Sequence, residues 1–355
     1  MTKTASIIPT IDIEKEWKRW NRFFNILNEP EPNVGQTPKQ AIWKKNKSTL
    51  WYYPATEKKV EEPLFIVYSL FNKPFILDLT PETSIIKGLV DRGYDVYLLD
   101  WGEPSLEDKD LSLEDYIVDY LQNAVKRALR HSGAQEISMM GYCLGGTIAA
   151  MYAAIADEPI KNLMVAAVPI DFSVTAGPDT WMQALKDGRL STDRLIDVYE
   201  MVPPQLVDAM FRSVSAPIYF SPYVTLFHRA YDERFVDKWR RLNKWTREHV
   251  PFTGAAFRQL ANDLMKENKL VNGEFVVRGK KVDLANITTN LLVVSSANDH
   301  LIPEEQSLPF IDLVSSEDKT YKLVDAGHVS LALTGKFAAL LDDWLSERSQ
   351  PLQLV

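Results

Sequence analysis

The sequence predicts an α/β fold, in which a mostly parallel sheet carries helices on both faces and a helical cap is inserted between its strands. Three observations carry this prediction. Short apolar runs alternate with helix-like stretches from residue 64 to residue 168, this rhythm stops after Asp171, and it returns at residue 289. Strands of this length that alternate with helices indicate parallel pairing, because a crossover helix must bring each strand back to the same edge of the sheet.

The predicted core elements follow in chain order. Strands are expected at residues 64–68, 94–99, 136–140, 161–168, 289–295 and 321–324, and helices at 84–92, 113–130, 147–156, 303–314 and 334–346. These elements define a core of residues 36–171 and 284–355.

The segment between the two halves of the core is predicted to be a cap, or lid, of residues 172–283. It is rich in helix-forming residues and prolines, and its sheet rhythm is lost. Its aromatic residues include Trp181, Phe211, Tyr219, Phe220, Tyr223, Phe227, Trp239 and Trp245.

The first 35 residues are predicted to form a separate arm. Ile13, Trp17, Trp20, Phe24 and Leu27 recur at spacings of four and three with basic residues between them, which indicates an amphipathic helix. Two prolines in residues 29–32 end this helix. Two interpretations stay open: the helix docks on the protein's own core, or it offers an apolar surface to a partner.

The composition excludes several classes of protein. The 355 residues, 46% of them hydrophobic, suffice for one large α/β domain, and a net charge of −8 argues against a nucleic-acid-binding surface. One cysteine cannot form an internal disulfide, and no Cys/His cluster has zinc spacing, so we expect no metal and no cofactor. We also expect no transmembrane segment, because no apolar run approaches ~20 residues, and no secretory signal in residues 1–10, which predicts a cytoplasmic protein.

The most informative motif is the sequence GYCLGG at residues 141–146, between a predicted strand and a predicted helix. This is the nucleophile-elbow pattern of the α/β-hydrolase fold, with Cys143 where serine usually stands. The sharp turn requires small residues two positions before and after the nucleophile, and Gly141 and Gly145 satisfy that requirement. The alternative, a small buried hydrophobic cysteine, does not account for the glycines.

The same turn predicts part of an oxyanion hole. The backbone N–H of Leu144, at the start of the helix, faces the position where negative charge develops on a substrate carbonyl. A second N–H usually comes from the loop after an earlier strand, here residues 70–72, and we assign it to Phe71.

The acid and the base are expected at the ends of two later strands. In this fold the order along the chain is nucleophile, acid, histidine. Asp299 follows the apolar strand predicted at 289–295, and His328 follows the strand predicted at 321–324. Cys143, Asp299 and His328 are therefore the candidate catalytic residues.

Other candidates fit less well. His300 is adjacent to Asp299 but lies in the acid's loop rather than in the late loop expected for the base. Asp100 also follows a strand and is an alternative carboxylate in a variant of the fold. The remaining histidines, which lack a strand-end context, are expected to be structural: His131, His228 and His249.

Residues 141–147, 298–300 and 326–328 together resemble the polyhydroxyalkanoate synthases. The resemblance covers most of the chain, with further family-like stretches at residues 72–79, 95–102, 169–172 and 268–273. One departure is the sequence AGHV at 326–329, where many members carry two glycines and an isoleucine. The short length resembles the two-component classes, whose catalytic subunit needs a small accessory subunit. The sequences of residues 42–47 and 116–120 resemble the Bacillus-type class, whose accessory subunit is called PhaR, more than the class whose accessory subunit is called PhaE.

The resemblance implies an acyltransferase. His328 takes the proton of Cys143, the thiolate attacks the thioester of a 3-hydroxyacyl-CoA, and CoA is released, being part of the substrate rather than a cofactor. Asp299 either orients His328 or helps to activate the incoming 3-hydroxyl group. The resemblance also implies a homodimer, a small accessory subunit and a location at the surface of polymer granules, with the apolar arm as candidate docking surface.

Two rival functions remain. A cysteine thioesterase or lactonase with the same triad would release free 3-hydroxy acid. A granule-surface or binding protein without turnover would keep the fold alone, and the ordered triad argues against it.

Overall fold

The computed structural model describes residues 12–174 and 180–352, with side chains except those of 180–182 and 214–220. The ends of the predicted arm and core, at 1–11 and 353–355, lie outside the described residues, as does the segment considered for a secretory signal. The same holds for the side chains of three predicted cap aromatics: Trp181, Tyr219 and Phe220.

Eight strands form the central sheet. The pairs from β4 onward in the sheet order β1-β2-β4-β3-β5-β6-β7-β8 are parallel, which confirms the predicted mostly parallel sheet. The strands are β1 (Gln40–Lys45), β2 (Ser48–Tyr53), β3 (Leu64–Val67), β4 (Val96–Asp100), β5 (Ile137–Tyr142), β6 (Ile160–Ala166), β7 (Asn290–Ser296) and β8 (Lys319–Val324).

The antiparallel hairpin of β1 and β2 was not predicted. These strands add one edge to the sheet, where β2 pairs with β4. The β1–β2 register shifts between Ala41 and Trp43, and such a bulge breaks the two-residue alternation that reveals a strand. Asn46 in the connecting turn has φ of 50°, as tight hairpin turns require.

The described helices number thirteen, besides short 3₁₀ and π segments. In chain order they are α1 (Ile13–Asn28), α2 (Ile85–Val90), α3 (Asn123–Ser132), α4 (Leu144–Ile155), α5 (Thr180–Lys186), α6 (Thr192–Tyr199), α7 (Pro204–Arg229), α8 (Glu233–Arg247), α9 (Gly254–Gln259), α10 (Glu304–Ser307), α11 (Phe310–Leu313), α12 (His328–Ala332) and α13 (Phe337–Leu345).

Two predicted helices differ from the structure. The helix expected at 113–130 begins as a π-helix, Asp115–Gln122, and continues as α3. The helix expected at 303–314 is divided into α10 and α11, because Pro309 has no backbone N–H to continue the first helix.

The core forms on both faces of the sheet. On one face, α3 and α4 pack against side chains such as Phe65 and Val67, and on the other, α2 and α13 pack against Leu64 and Ile66. Successive β3 residues thus point to opposite layers, as expected for a strand buried on both sides. Cys143 lies where the two layers meet.

Helices α5 to α9 lie in the segment predicted to be a cap, while every strand of the central sheet lies outside it. The predicted domain boundaries, which separate the core from the cap at residues 171 and 284, stay a prediction. Within the described residues, no helix is both long enough and apolar enough to cross a membrane.

Helix α1 shows features of both interpretations of the arm. Ile26 and Phe23 pack on Leu226 and Trp239, so one face docks on α7 and α8. The adjoining face remains apolar and largely exposed, although Trp20 also contacts Phe227 of α7 at 4.6 Å: Ile13, Trp17, Trp20, Phe24 and Leu27.

Candidate active site

Cys143 occupies the turn between β5 and α4. It has φ of 54° and ψ of −134°, a strained conformation for a residue with a side chain. Its N–H donates to the carbonyl oxygen of Ala166 at 2.9 Å, and its own carbonyl accepts from Gly146 at 2.8 Å. These two bonds hold the backbone on both sides of the thiol.

The glycines of the motif are required by close approach. A Cβ atom on Gly145 would lie 2.3 Å from the carbonyl oxygen of Val67, and one on Gly141 would lie 2.4 Å from the Cα atom of Gly146. The first contact brings the loop after β3 directly against the start of α4. The elbow turn and this loop can therefore pack directly against each other only because Gly145 has no side chain.

Asp299 lies in the loop after β7 and its side chain has no exposed area. Its Oδ1 accepts hydrogen bonds from the backbone N–H groups of Leu301 (2.9 Å) and Ile302 (2.8 Å). Its Oδ2 lies 2.8 Å from Nδ1 of His328. Both oxygens are thus engaged, and one is directed at the histidine.

His328 is the first residue of α12, and its carbonyl oxygen accepts a 2.6 Å hydrogen bond from the hydroxyl of Tyr142. Burial disfavours the charged imidazole, but the negative charges of the Cys143 thiolate and Asp299, with their hydrogen bonds to the ring, raise the pKa of His328 to about 10. The imidazole therefore holds its proton beside the Cys143 sulfur at neutral pH. The structure brings together all three predicted catalytic residues.

The two predicted oxyanion donors, the N–H groups of Leu144 and Phe71, lie on either side of the contact between Gly145 and Val67. Leu144 is the first residue of α4, where backbone N–H groups have no acceptor within the helix. The Phe71 N–H donates to Ser69 Oγ at 3.3 Å, a long bond that a substrate oxygen would have to replace. The assignment of Phe71 stays a prediction.

The residues set aside in the sequence lie elsewhere. Asp100 accepts from the N–H of Gly102 and from the indole of Trp51, and it is not paired with His328. His300 is exposed. Nδ1 of His131 forms a 2.8 Å hydrogen bond with the hydroxyl of Tyr97. Among the hydrogen bonds of the described residues, none joins His131 to Cys143, Asp299 or His328.

A cavity of about 580 Å³ opens beside the loop after β3. Its lining includes Ser69, Leu70 and Asn72 of that loop, with Trp51 and Tyr53 of β2, but none of the three candidate catalytic residues. The open cavity is thus lined by this loop and not by the Cys143 thiol. Sequence reasoning could not find the β2 side of the cavity, because β2 itself was missed.

Two further residues near the site were also missed. Tyr142 holds the His328 carbonyl, and His249, expected to be structural, contacts Asn72 in the loop beside the elbow. Neither contact has a local signal in the sequence. In the described part of the chain, no group of three or more His, Cys, Asp or Glu residues has metal-binding geometry.

Comparison with known families gives a consistent result. A profile of the alpha/beta hydrolase fold matches residues 63–333, and one for the N-terminus of poly-beta-hydroxybutyrate polymerase (PhaC) matches residues 29–89. The chain is similar to proteins named poly(3-hydroxyalkanoate) polymerase subunit PhaC. With that of Haloferax mediterranei it is 36% identical, covering 90% of this chain and 66% of that one. With that of Haloarcula marismortui it is 35% identical (89% and 69%), and with that of Allochromatium vinosum 32% (91% and 92%).

Solved structures match at low sequence identity. A soluble variant of monoglyceride lipase from Saccharomyces cerevisiae superposes with a TM-score of 0.54 at 15% identity, covering 91% of this chain and 100% of the lipase. An esterase from Thermogutta terrifontis gives 0.50 at 12% identity, covering 88% and 100%. At such identities the likeness shows the fold. The chain therefore belongs to the PhaC family of poly(3-hydroxyalkanoate) polymerases, on the α/β-hydrolase fold.

Proposed function

We propose that this chain polymerises (R)-3-hydroxyacyl-CoA through a covalent acyl-enzyme on Cys143. The family supplies the reaction class, an acyl transfer from CoA thioesters to growing polyester. The observation that supports the cysteine as nucleophile is the single chain of contacts from the Cys143 thiol through His328 to Asp299. The favoured monomer is 3-hydroxybutyryl-CoA, and the cycle uses no cofactor beyond the CoA that enters with it.

In the first half-reaction, the Cys143 thiolate attacks the thioester carbonyl and the C–S bond to CoA breaks. The leaving CoA thiolate takes the proton that His328 holds. Sulfur replaces sulfur, so the acyl group stays activated for transfer. The N–H of Leu144, with that of Phe71 or its loop, stabilises the negative charge on the carbonyl oxygen.

In the second half-reaction, a 3-hydroxyl group attacks the acyl–cysteine thioester. Neutral His328 accepts the hydroxyl proton, the ester bond forms, and the Cys143 thiolate leaves. Of the two roles open for Asp299, its geometry supports orientation of His328, because its Oδ1 is occupied by two backbone N–H groups and its Oδ2 by the imidazole. A carboxylate without exposed area has no free oxygen for an incoming hydroxyl.

Transfer to a hydroxyl rather than to water requires that water be kept from the acyl-enzyme. The side chain of His328 is only 14% exposed and that of Asp299 is fully buried. This burial keeps water from the acid–base pair, whereas Cys143 itself is partly exposed. Exclusion of water from the acyl group is therefore assigned to the substrate and the cap.

The assembly belongs to the same proposal. The chain acts as the catalytic subunit of a two-component synthase, as a homodimer with a small accessory subunit of the PhaR or PhaE type, at the surface of polymer granules in the cytoplasm. The exposed face of α1 supports this, because it offers an apolar docking surface. Trp17, on this face, is 66% exposed.

The test is to mix the purified chain, with and without a PhaR-type subunit, with 3-hydroxybutyryl-CoA and to follow free CoA and insoluble polymer. CoA release with polymer is expected, and dependence on the added subunit would support the two-component class. CoA release with soluble acid alone would make the chain a hydrolase. Absence of CoA release under both conditions would contradict every catalytic version.

A further inference from the structure

The loop that carries Phe71 is tied to the cap by backbone contacts at residues 71 and 72. Phe71 accepts a 2.9 Å backbone hydrogen bond from the N–H of Val250, and Asn72 forms an isolated antiparallel bridge with His249. The side chains repeat this link, because Nδ2 of Asn72 lies 2.9 Å from Nδ1 of His249. The backbone and the side chains thus join the same two segments.

His249 is held from its other side by α7. Its side chain is 6% exposed, and Nε2 lies 3.4 Å from Oδ1 of Asp208 without the geometry of a hydrogen bond. Burial, opposed by the Asp208 carboxylate, keeps the pKa of His249 below its usual range. Because Nδ2 of Asn72 can only donate, a neutral ring that accepts from it at Nδ1 would carry its proton at Nε2, facing Asp208.

Aromatic rings complete the contact. Phe211, one helical turn after Asp208, stacks on the His249 ring at 5.5 Å with an interplanar angle of 7°. The ring of Phe71 meets the edge of Phe211 at 5.3 Å and lies 4.7 Å from that of Phe252. One turn of α7 therefore positions both the histidine and the phenylalanine of the loop.

We propose that His249 is a positioning residue for the reaction: supported by Asp208 and Phe211, it fixes the loop at Asn72 and so places the Phe71 N–H beside Cys143. This proposal rests on the proposed oxyanion hole. It gives the cap a role beyond exclusion of water, since the same α7 turn that covers the loop also holds one of its hydrogen-bond donors.

The loop needs this support because the Phe71 N–H itself is held by one long hydrogen bond. On one side it is anchored where Gly145 meets Val67, and on the other the indole of Trp245 donates to the carbonyl of Lys73 at 3.0 Å. Between these anchors, the Phe71 N–H makes only the 3.3 Å bond to Ser69 among the hydrogen bonds of the described residues. Small displacements of a charge-stabilising donor reduce the rate strongly.

The test compares three variants of the full chain by CoA release. His249→Ala removes the link, and kcat is expected to fall about 10- to 100-fold, with KM changing less than about threefold, because the donor acts on the transition state. His249→Asn keeps an acceptor near Nδ1 and is expected to recover most of kcat. His131→Ala is the matched control, since it removes a histidine whose Nδ1 bonds Tyr97 away from the loop.

A second pair of variants tests whether the loss of kcat comes from the contact between His249 and Asn72. Asn72→Ala removes the other partner, and combined with His249→Ala it is expected to lower kcat no further than either single change, because both delete one interaction. Additive losses in kcat, or unchanged kcat in His249→Ala, would overturn the positioning role. Equal losses of kcat in His249→Asn and His249→Ala would also overturn it. The proposed function is judged separately: if Cys143→Ala retains CoA release, it fails irrespective of His249.

Discussion

Nδ1 of His328 lies 2.8 Å from Oδ2 of Asp299, a carboxylate whose side chain is completely buried. The two residues come from loops after neighbouring parallel strands, β7 and β8, so the sheet itself sets their separation.

Replacing Cys143 is expected to abolish CoA release. Cys143→Ala removes the nucleophile, and Cys143→Ser replaces the thiol with a far weaker acid, so we expect losses of at least about 10³-fold for both. Free CoA is measured from 3-hydroxybutyryl-CoA. Circular dichroism should show an unchanged fold, and a Cys143→Ala protein with substantial turnover would refute the covalent route.

Asp299→Asn is expected to lower kcat by about 10²- to 10⁴-fold, because the amide neither stabilises the charged imidazolium nor fixes the tautomer of neutral His328. The change preserves size, so the backbone bonds from Leu301 and Ile302 can persist. Asp299→Ala should in addition lower the melting temperature, since it leaves two N–H groups without an acceptor. Equal melting temperatures for the two variants would contradict the second part.

The protonation of His328 is expected to depend on Cys143. The pKa of the imidazole is raised to about 10 in the intact site, and Cys143→Ala should lower it, because the thiolate charge is lost. NMR titration of ¹³C-labelled histidine side chains measures both values.

Gly145→Ala is expected to destabilise the fold and to lower activity. The added Cβ would lie 2.3 Å from the carbonyl oxygen of Val67, so either the elbow or the loop after β3 must move. Gly133→Ala is the control: its Cβ would meet nothing within 4 Å, and only its φ of 74° opposes the change, at about 1 kcal/mol. Melting temperature and CoA release are compared, and a smaller loss for Gly145→Ala would be inconsistent with the contact.

The two faces of α1 should respond differently to substitution. Ile26→Ala removes a side chain that is 2% exposed and should cost about 2–4 kcal/mol of the stability of the α1 contact. Trp17→Glu alters an exposed residue and should change the free energy of unfolding by less than about 0.5 kcal/mol. The Trp17→Glu variant should nevertheless bind more weakly to polyester particles or to the accessory subunit, which is measured by co-sedimentation. Unchanged binding would contradict the role of this face as the docking surface.

Much of the site could be predicted because its signals are local. Glycines at 141 and 145 around Cys143 are required by a turn that only small residues allow, and the periods of the apolar runs placed Asp299 and His328 after strands. The hairpin of β1 and β2 was not predicted because its bulge breaks the alternation of apolar and polar residues. The single helix predicted at 303–314 was wrong because its apolar periodicity runs through Pro309, where the missing backbone N–H ends the first helix.

The sequence by itself determined the order of the layers, the identity of the candidate nucleophile and the candidates for its acid and base, because each depends on residues close together in the chain. Only the tertiary structure decided that Asp299 rather than Asp100 faces His328, that Tyr142 holds the His328 backbone, and that His249 reaches Asn72. These contacts join segments far apart in sequence. Their partners are selected by how the sheet and the cap pack, and no local periodicity records that choice.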